Sequence, residues 1–404
     1  MLLTNAISVE GSEIDVRVIG ESIAAVAPAG TLVATADETV VDLDRRLLTP
    51  AFAEPHAHLD KAFLSERVVN PTGDLMGAIL AMRASRDLIT FDDTVDRAER
   101  AVRLMVANGV TLIRSHADTT IENGLMSVQA LAEVRRRVAD ICDLQIVSLA
   151  SWPITGEAGA AGRALLREAL SAGADLIGGC PHLDSDIAAA NEVLLGIAGE
   201  FGRNIDLHTD ETLDPAILGL ADLARRVIAS GFEHQVTASH CVSLSMQTEA
   251  RQREVAESVA TAGVNIVALP QTNLFLQGRE HQTAMPRGVT AVKALREAGA
   301  TVCAGADNLQ DPFNPVGRGD PMETAGLMIM AAHLLPQAAY DSVSVDVVRT
   351  LTGHRPSLAT GERADLVAIR AASAREAIAF GPPARIVIHR GRIVSGPVDV
   401  VPTP

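Results

Sequence analysis

Between residues 47 and 306 a short apolar run recurs eight times, and the stretches between the runs read as helices. The runs are Leu47–His56, Val110–His116, Leu144–Ala150, Asp175–Pro181, Asn204–His208, Gln235–His240, Val264–Leu269 and Thr301–Ala306. They are near-continuously apolar rather than alternating, as in strands covered on both faces. Several follow a helix-ending glycine, at Asn108-Gly109, Ala172-Gly173, Ala262-Gly263 and Ala298-Gly299, the signal for a helix that stops before a returning strand. Intervening segments such as Ala160–Ser171 and Gln247–Thr261 carry helix-forming composition. Eight strand–helix repeats predict an α/β chain whose parallel sheet closes into a (β/α)8 barrel. A doubly wound open sheet is the rival, but the chain lacks the Gly-x-Gly-x-x-Gly turn that would favour it.

The two ends have a different texture. Residues 1–48 read as short strands, Leu2–Val9, Glu13–Ile19, Ile23–Ala27 and Val40–Asp42, with turn signals at Glu10-Gly11 and Pro28–Gly30. The pattern returns at Asp365–Ile369, Ala384–Ile388 and Ile393–Ser395, with a turn at Arg390-Gly391. These ends predict one small β-sandwich-like domain from residues 1–48 plus 357–404, with the barrel spanning 49–356.

A chain of 404 residues with 48% apolar and 21% charged residues can bury a large core. The net charge of −16, without a run of Lys and Arg, argues against nucleic-acid or anionic-membrane partners. No apolar stretch approaches the roughly 18 residues of a membrane span, and Met1–Gly11 alternates like a strand instead of resembling a secretory leader. Cys142, Cys180, Cys241 and Cys303 are scattered and read as buried thiols of a cytoplasmic protein. An apolar-rich acidic barrel is also compatible with a homo-oligomer.

Barrel enzymes carry their chemistry at the C-terminal ends of the strands, and the polar residues of this chain collect there. His56 and His58 end the first run, and their spacing of two puts both imidazoles on one strand face. His116 and Asp118 end the second, Ser151 and Trp152 follow the third, and His182 follows the fourth. His208, Asp210 and Glu211 end the fifth, His240 the sixth, Gln271 and Asn273 follow the seventh, and Asp307 and Asn308 end the eighth. His234, His281, His333, His354 and His389 have no such placement and read as surface or loop residues. Asp118 and Asp311 read as helix caps.

With these residues in place the chain resembles the amidohydrolase superfamily, most closely its cytosine-deaminase-like branch. The segments Pro55-His-Ala-His-Leu-Asp60, Arg114-Ser-His-Ala-Asp118, Gly173–His182, Asp206-Leu-His-Thr-Asp-Glu211, Thr237-Ala-Ser-His240 and Gly305–Phe313 are similar to its strand-end motifs. Gly361-Glu-Arg-Ala-Asp-Leu-Val367 is similar to its return into the β domain. The resemblance implies that His56, His58, His208 and Asp307 hold one divalent ion, Zn2+ or Fe2+, with a position left for water. It implies Glu211 as the acid that protonates a ring nitrogen. His240 would orient the water and stabilise developing charge, and Asp307 would relay the water's proton to departing ammonia. Satisfied core histidines and a first-turn helix glutamate are the plainer alternatives. His116 and His182 match no ligand of the mononuclear branch; packing or hydrogen bonding to the ligands suits them as well as substrate contact does.

Two departures bear on substrate. Where the cytosine deaminases follow strand three with a Pro-Gln pair, this chain has Ser148-Leu-Ala-Ser-Trp-Pro153, and Asn308 stands where they carry an aspartate. Both positions would face substrate, which argues against cytosine itself. Strand four lacks a lysine that could bridge two metals. Aromatic residues are 2% of the chain, and three of them, Trp152, Phe63 and Phe313, fall just after strands three, one and eight, placed to grip a flat ring. With Ser151 and Asn308 they are the expected substrate wall. Lys61 would meet a substrate carboxylate or simply pair with Asp60. The expectation is a metal-dependent hydrolytic deaminase of a pyrimidine, pterin, purine or triazine. The alternative within enzymes is hydrolysis of an N-substituted amine or cyclic amide, and outside them a silent binding or scaffold barrel, against which Glu211 and the ligand set argue.

Overall fold

The computed structural model describes residues 1–397 and the backbone of Val400 and Val401. The amino end supplies β1 (Leu2–Ile7), β2 (Glu13–Ile19), β3 (Ser22–Pro28), β4 (Val40–Asp42) and β5 (Leu47–Pro50). Then come β6 (Phe52–Ala57), β7 (Val110–Thr119), β8 (Asp143–Ala150), β9 (Leu176–Gly179), β10 (Ile205–Thr209), β11 (Val236–His240), β12 (Asn265–Ala268) and β13 (Val302–Ala304). The carboxyl end returns β14 (Leu366–Ile369), β15 (Ile386–His389), β16 (Arg392–Ser395) and β17 (Val400–Val401).

Strands β6 to β13 form one parallel sheet in chain order. The parallel Ala57–Asp307 bridge brings its two edges together. Helices cover the outside. The one over Phe91–Ala107 starts at Thr90, whose hydroxyl accepts from the Asp93 N–H, with Asp92 and Asp93 in its first turn. It buries Val95, Ala98, Val102 and Met105 against the strands. The N-terminal end of the barrel is plugged by Val347 and Leu351, from the helix Val345–Thr352, packed on Ala53, Leu112, Val267, Leu269 and Cys303.

The remaining strands make a mixed sheet, β16-β15-β14-β5-β1-β2-β3, with β4 and β17 attached beside β1. It closes over its own core of Leu3, Val16, Val18, Ile23, Leu48, Leu366, Ile386 and Ile388. Two details differ from expectation. The run Leu47–His56 is not one barrel strand: Leu47–Pro50 pairs antiparallel with β14 in the terminal sheet, and the barrel strand begins at Phe52. Pro50 has no N–H to continue a ladder, so the chain changes sheets there. His389 is not a surface residue. As the last residue of β15 it is 1% exposed, with Nδ1 3.0 Å from the Asp365 carboxylate.

Closure between β6 and β13 depends on Glu54. One of its carboxylate oxygens accepts from the His56 N–H and the other from the Ala306 N–H, both at 3.0 Å. A Cβ on Gly305 would lie 2.4 Å from the Glu54 Oε1 and 2.9 Å from the Pro55 ring. Gly305→Ala should therefore destabilise the fold by about 1–3 kcal/mol, read as a lower unfolding midpoint. An unchanged midpoint would show that the seam yields freely.

Candidate active site

The first candidate ligand pair sits on β6 and just beyond it. His56 and His58 point inward, and the Nε2 atom of His208, from β10, lies 3.2 Å from the His56 Nε2 and 3.1 Å from the His58 Nε2. The Asp307 Oδ1 is 3.8 Å from the His56 Nε2 and 3.4 Å from the His58 Nε2. The ligand atoms of His56, His58 and Asp307 lie within 4.8 Å of one another, and His208 joins this group through His56 and His58. A tetrahedral ion with bonds of about 2.0–2.1 Å sets its ligands roughly 3.3 Å apart, close to these separations.

Electrostatics supports the same fit. Burial first, and then mutual repulsion among the imidazoles, holds His56 and His208 well below the usual histidine range. For His58 the second cause is the Lys61 ammonium. All three are therefore neutral, with lone pairs to donate. Burial, then Glu211 and Asp311, pushes the Asp307 carboxyl well up, and both of its oxygens are buried without a hydrogen-bond partner among the described residues. An orphaned carboxylate among neutral imidazoles is costly alone and is accounted for by a cation. The cluster fits a divalent metal ion.

Surrounding residues orient the cluster. The His56 Nδ1 lies 2.9 Å from the Ser239 hydroxyl, which donates to Asp206 at 3.1 Å, and Asp206 accepts from the Arg114 guanidinium at 2.8 Å. Burial alone would raise the Asp206 carboxyl, but His116 and Arg114 hold it below the usual range. The His182 Nδ1 donates to the His208 carbonyl at 3.1 Å, fixing the backbone of a ligand. His116 stacks on His56 with centroids 3.9 Å apart, and its Nε2 is 3.6 Å from Asp206. Its ligand atom also falls within 4.8 Å of those of His56 and His208. His116 is thus nearer the cluster than its place in the sequence suggested.

Glu211 follows β10 in a loop that Asp210 anchors. The Asp210 carboxylate accepts from the N–H groups of Gly219 and Leu220, at the start of the helix Gly219–Ser230. Burial pushes the Glu211 carboxyl up to about 8, so the acid keeps its proton near neutrality. The His240 Nδ1 lies 3.6 Å from Glu211 and donates to the Asn273 Oδ1 at 3.1 Å. That tautomer leaves the buried His240 Nε2, which has no partner, as an acceptor. Burial holds His240 neutral, at about 3. Both His240 and Asp307 have left-handed backbones, φ 69° and 65°, a conformation uncommon outside glycine and concentrated at functional sites.

A cavity of about 390 Å³ opens over this cluster. His58, His208, Glu211, His240 and Asp307 line its floor, and Ser151, Trp152, Asn308, Phe313 and Lys61 line its walls. Phe63 is not brought to it. With φ 61° at the turn after β6, its ring is directed to the Arg100 guanidinium, 3.9 Å from the centroid. Lys61 pairs with Asp118 at 2.7 Å and Asp60 at 3.4 Å, so Asp118 is an ion-pair partner rather than a helix cap. Asp311 accepts from the Phe313 and Asn314 N–H groups and from the Asn308 amide; it shapes a loop, not a helix end. The Asn308 Oδ1 accepts from the Thr272 hydroxyl at 3.3 Å, and the Asn308 amide donates to Asp311 at 2.7 Å.

Glu54, Arg114, Asp206 and Ser239 were not picked out from sequence. The alternation of strand faces was the available signal: Glu54 shares a face with His56, Arg114 with His116, and Asp206 with His208.

Among the described residues no helix is long and apolar enough to cross a membrane. A model of the amidohydrolase family matches residues 68–395. A pterin deaminase from Rhizobium rhizogenes is 34% identical over 386 residues, spanning 94% of this chain and 87% of the relative. The crystal structure of 5-methylcytosine deaminase from Klebsiella pneumoniae, bound to 5-fluorocytosine, superposes with a TM-score of 0.90 at 30% identity over 98% of both chains. N-isopropylammelide isopropylaminohydrolase from Burkholderia multivorans gives a TM-score of 0.85 at 29% identity, again over 98% of both chains. With strand-end histidines, a buried acid and this breadth of similarity, the chain belongs to the amidohydrolase family.

Proposed function

We propose that this chain is a mononuclear metal-dependent aminohydrolase that replaces an exocyclic amino group on a nitrogen heterocycle with oxygen and releases ammonia. The observation that carries the reading is a buried carboxylic acid, Glu211, sharing one cavity floor with His58, His208, His240 and Asp307. His56, His58, His208 and Asp307 would hold the ion, zinc or iron(II), which supplies the Lewis acidity that makes water nucleophilic near neutral pH.

The chain's own residues manage the protons. Glu211 donates to the ring nitrogen next to the aminated carbon, drawing electrons from that carbon as water adds. The His240 Nε2 is an acceptor by tautomer and holds a hydrogen of the attacking water. Asp307 takes the water's proton and gives it to the amino group, which leaves as ammonia when the C–N bond breaks. The ring nitrogen keeps the proton from Glu211, the remaining hydrogen on the added oxygen passes to the Glu211 carboxylate and restores the acid, and the product is the ring lactam. A cavity of about 390 Å³ exceeds a single pyrimidine, which favours a two-ring or substituted heterocycle, in keeping with the pterin deaminase similarity.

A second reading is hydrolysis of an N-alkylated amine. It is favoured by the similarity to an isopropylaminohydrolase and by Leu75, Ile79, Met82 and Ile89 along the outer cavity wall. Ammonia release by metal-loaded protein across aminated pyrimidines, pterins, purines and triazines separates the two. Turnover of pterins with cytosine untouched is the expected result. Silence across the panel, with amine released from N-alkylated triazines, would replace the deaminase reading with the second.

A further inference from the structure

The loop after β6 folds a helix, Leu75–Ala84, and a short 3-10 turn, Arg86–Leu88, over the open end of the barrel. Arg83 and Arg86 from this segment line the same cavity as Glu211 and Asp307. Neither guanidinium has a carboxylate within ion-pair distance among the described residues, although many arginines of this acidic chain do. Arg83 lies over the Trp152 ring at 4.9 Å. Arg86 spends one nitrogen on the Ile89 carbonyl, at 2.8 Å, while its Nε is buried without a partner among the described residues. A helix C-terminus attracts cations, but that does not account for both arginines lining the cavity.

The cation nearer the floor cannot serve an anion. Lys61 is balanced by both Asp60 and Asp118 and has its ammonium 3.2 Å from the His58 Nδ1. The carboxyl groups lining the cavity are Asp60, Asp118, Glu122, Glu211 and Asp307. The first two are taken by Lys61, and Glu122 is exposed at the rim. Lys61, Arg83 and Arg86 thus face Asp60, Asp118 and Glu122, and what sets the two arginines apart is that neither has a carboxylate within ion-pair distance among the described residues.

We infer that Arg83 and Arg86 form a subsite for a carboxylate carried by the heterocyclic substrate, on the edge away from the amino group that is hydrolysed. This rests on the aminohydrolase reading for its orientation. Guanidinium forks match carboxylate geometry, and Trp152, held under Arg83, supplies a face for the ring that bears the acid.

Trp152 is the chain's single tryptophan, so its fluorescence reports binding at the mouth whether or not turnover occurs. Metal-loaded protein would be titrated with pterin-6-carboxylate and with 6-methylpterin. The expected result is at least tenfold tighter binding of the acid, a preference that weakens with salt and is lost in the Arg83→Gln/Arg86→Gln double variant. Arg83→Gln alone, at an exposed position, should lose part of it and carries no risk to folding. Equal binding of the two pterins, binding of neither, or a preference that survives both substitutions would overturn the subsite. Tight binding of the acid without ammonia release from any aminated ring would leave the subsite standing and sink the deaminase reading instead.

Discussion

Glu211→Gln is expected to lower kcat by roughly 10²–10⁴-fold, the usual contribution of a positioned general acid, while metal content and fold are retained. The substitution is nearly isosteric and keeps a hydrogen-bonding head, but an amide has no proton to give to a ring nitrogen. KM should change little, since the loss falls in the transition state. The pH dependence follows from the same group. With its carboxyl raised to about 8 by burial, Glu211 is protonated and competent below that value. Wild-type kcat should fall as pH rises through it, by roughly tenfold per unit beyond. Stability has its own sign. A carboxyl whose folded value is raised above its unfolded value contributes most at low pH, and the contribution is lost as pH rises through about 8. The glutamine variant, neutral throughout, should therefore melt at or above the wild type at pH 9. Steady-state kinetics, metal analysis and thermal melts at two pH values check all three. Residual kcat within tenfold of wild type would remove Glu211 as the acid.

How far the site could be read from the chain depends on where each group lies along its strand. The last polar residue of each apolar run was legible, because a polar residue ending a buried strand has little to do in a core; His56, His208, His240 and Asp307 are of this kind. Glu54, Arg114 and Asp206 lie within their strands, where local composition reads as hydrophobic packing. Their role appears only when β6 meets β13 and β7 faces β10 across the barrel, contacts separated by 252 and 92 residues. Phe63 shows the opposite limit. Its place just after the first strand suggested a substrate contact, but one left-handed residue at the turn directs the ring to Arg100, and no periodicity rule captures that. Arg83 and Arg86 sit on a segment that in sequence is simply the charged side of a surface helix. Only its placement over the open end of the barrel gives those charges a direction.

His208→Ala should abolish metal binding and activity together. The His208 Nε2 is the vertex shared by the two shortest ligand–ligand separations, 3.2 Å to His56 and 3.1 Å to His58. Its removal leaves His56, His58 and Asp307 as the remaining cluster, with one side of the coordination sphere open to the cavity. Metal bound only to the folded state stabilises it in proportion to the logarithm of its saturation, about 2.7 kcal/mol at a hundredfold excess over Kd. The wild type should therefore melt lower after chelation and recover on adding Zn2+ or Fe2+. The variant should melt at one temperature under all three conditions. That comparison separates loss of the ion from the packing defect left by deleting a buried imidazole, since the defect lowers the midpoint but does not respond to metal. A variant that keeps a full equivalent of metal would overturn the assignment of His208. It would transfer the fourth position to His116, whose ligand atom lies within 4.8 Å of that of His56, and His116→Ala would then become the variant that no longer responds.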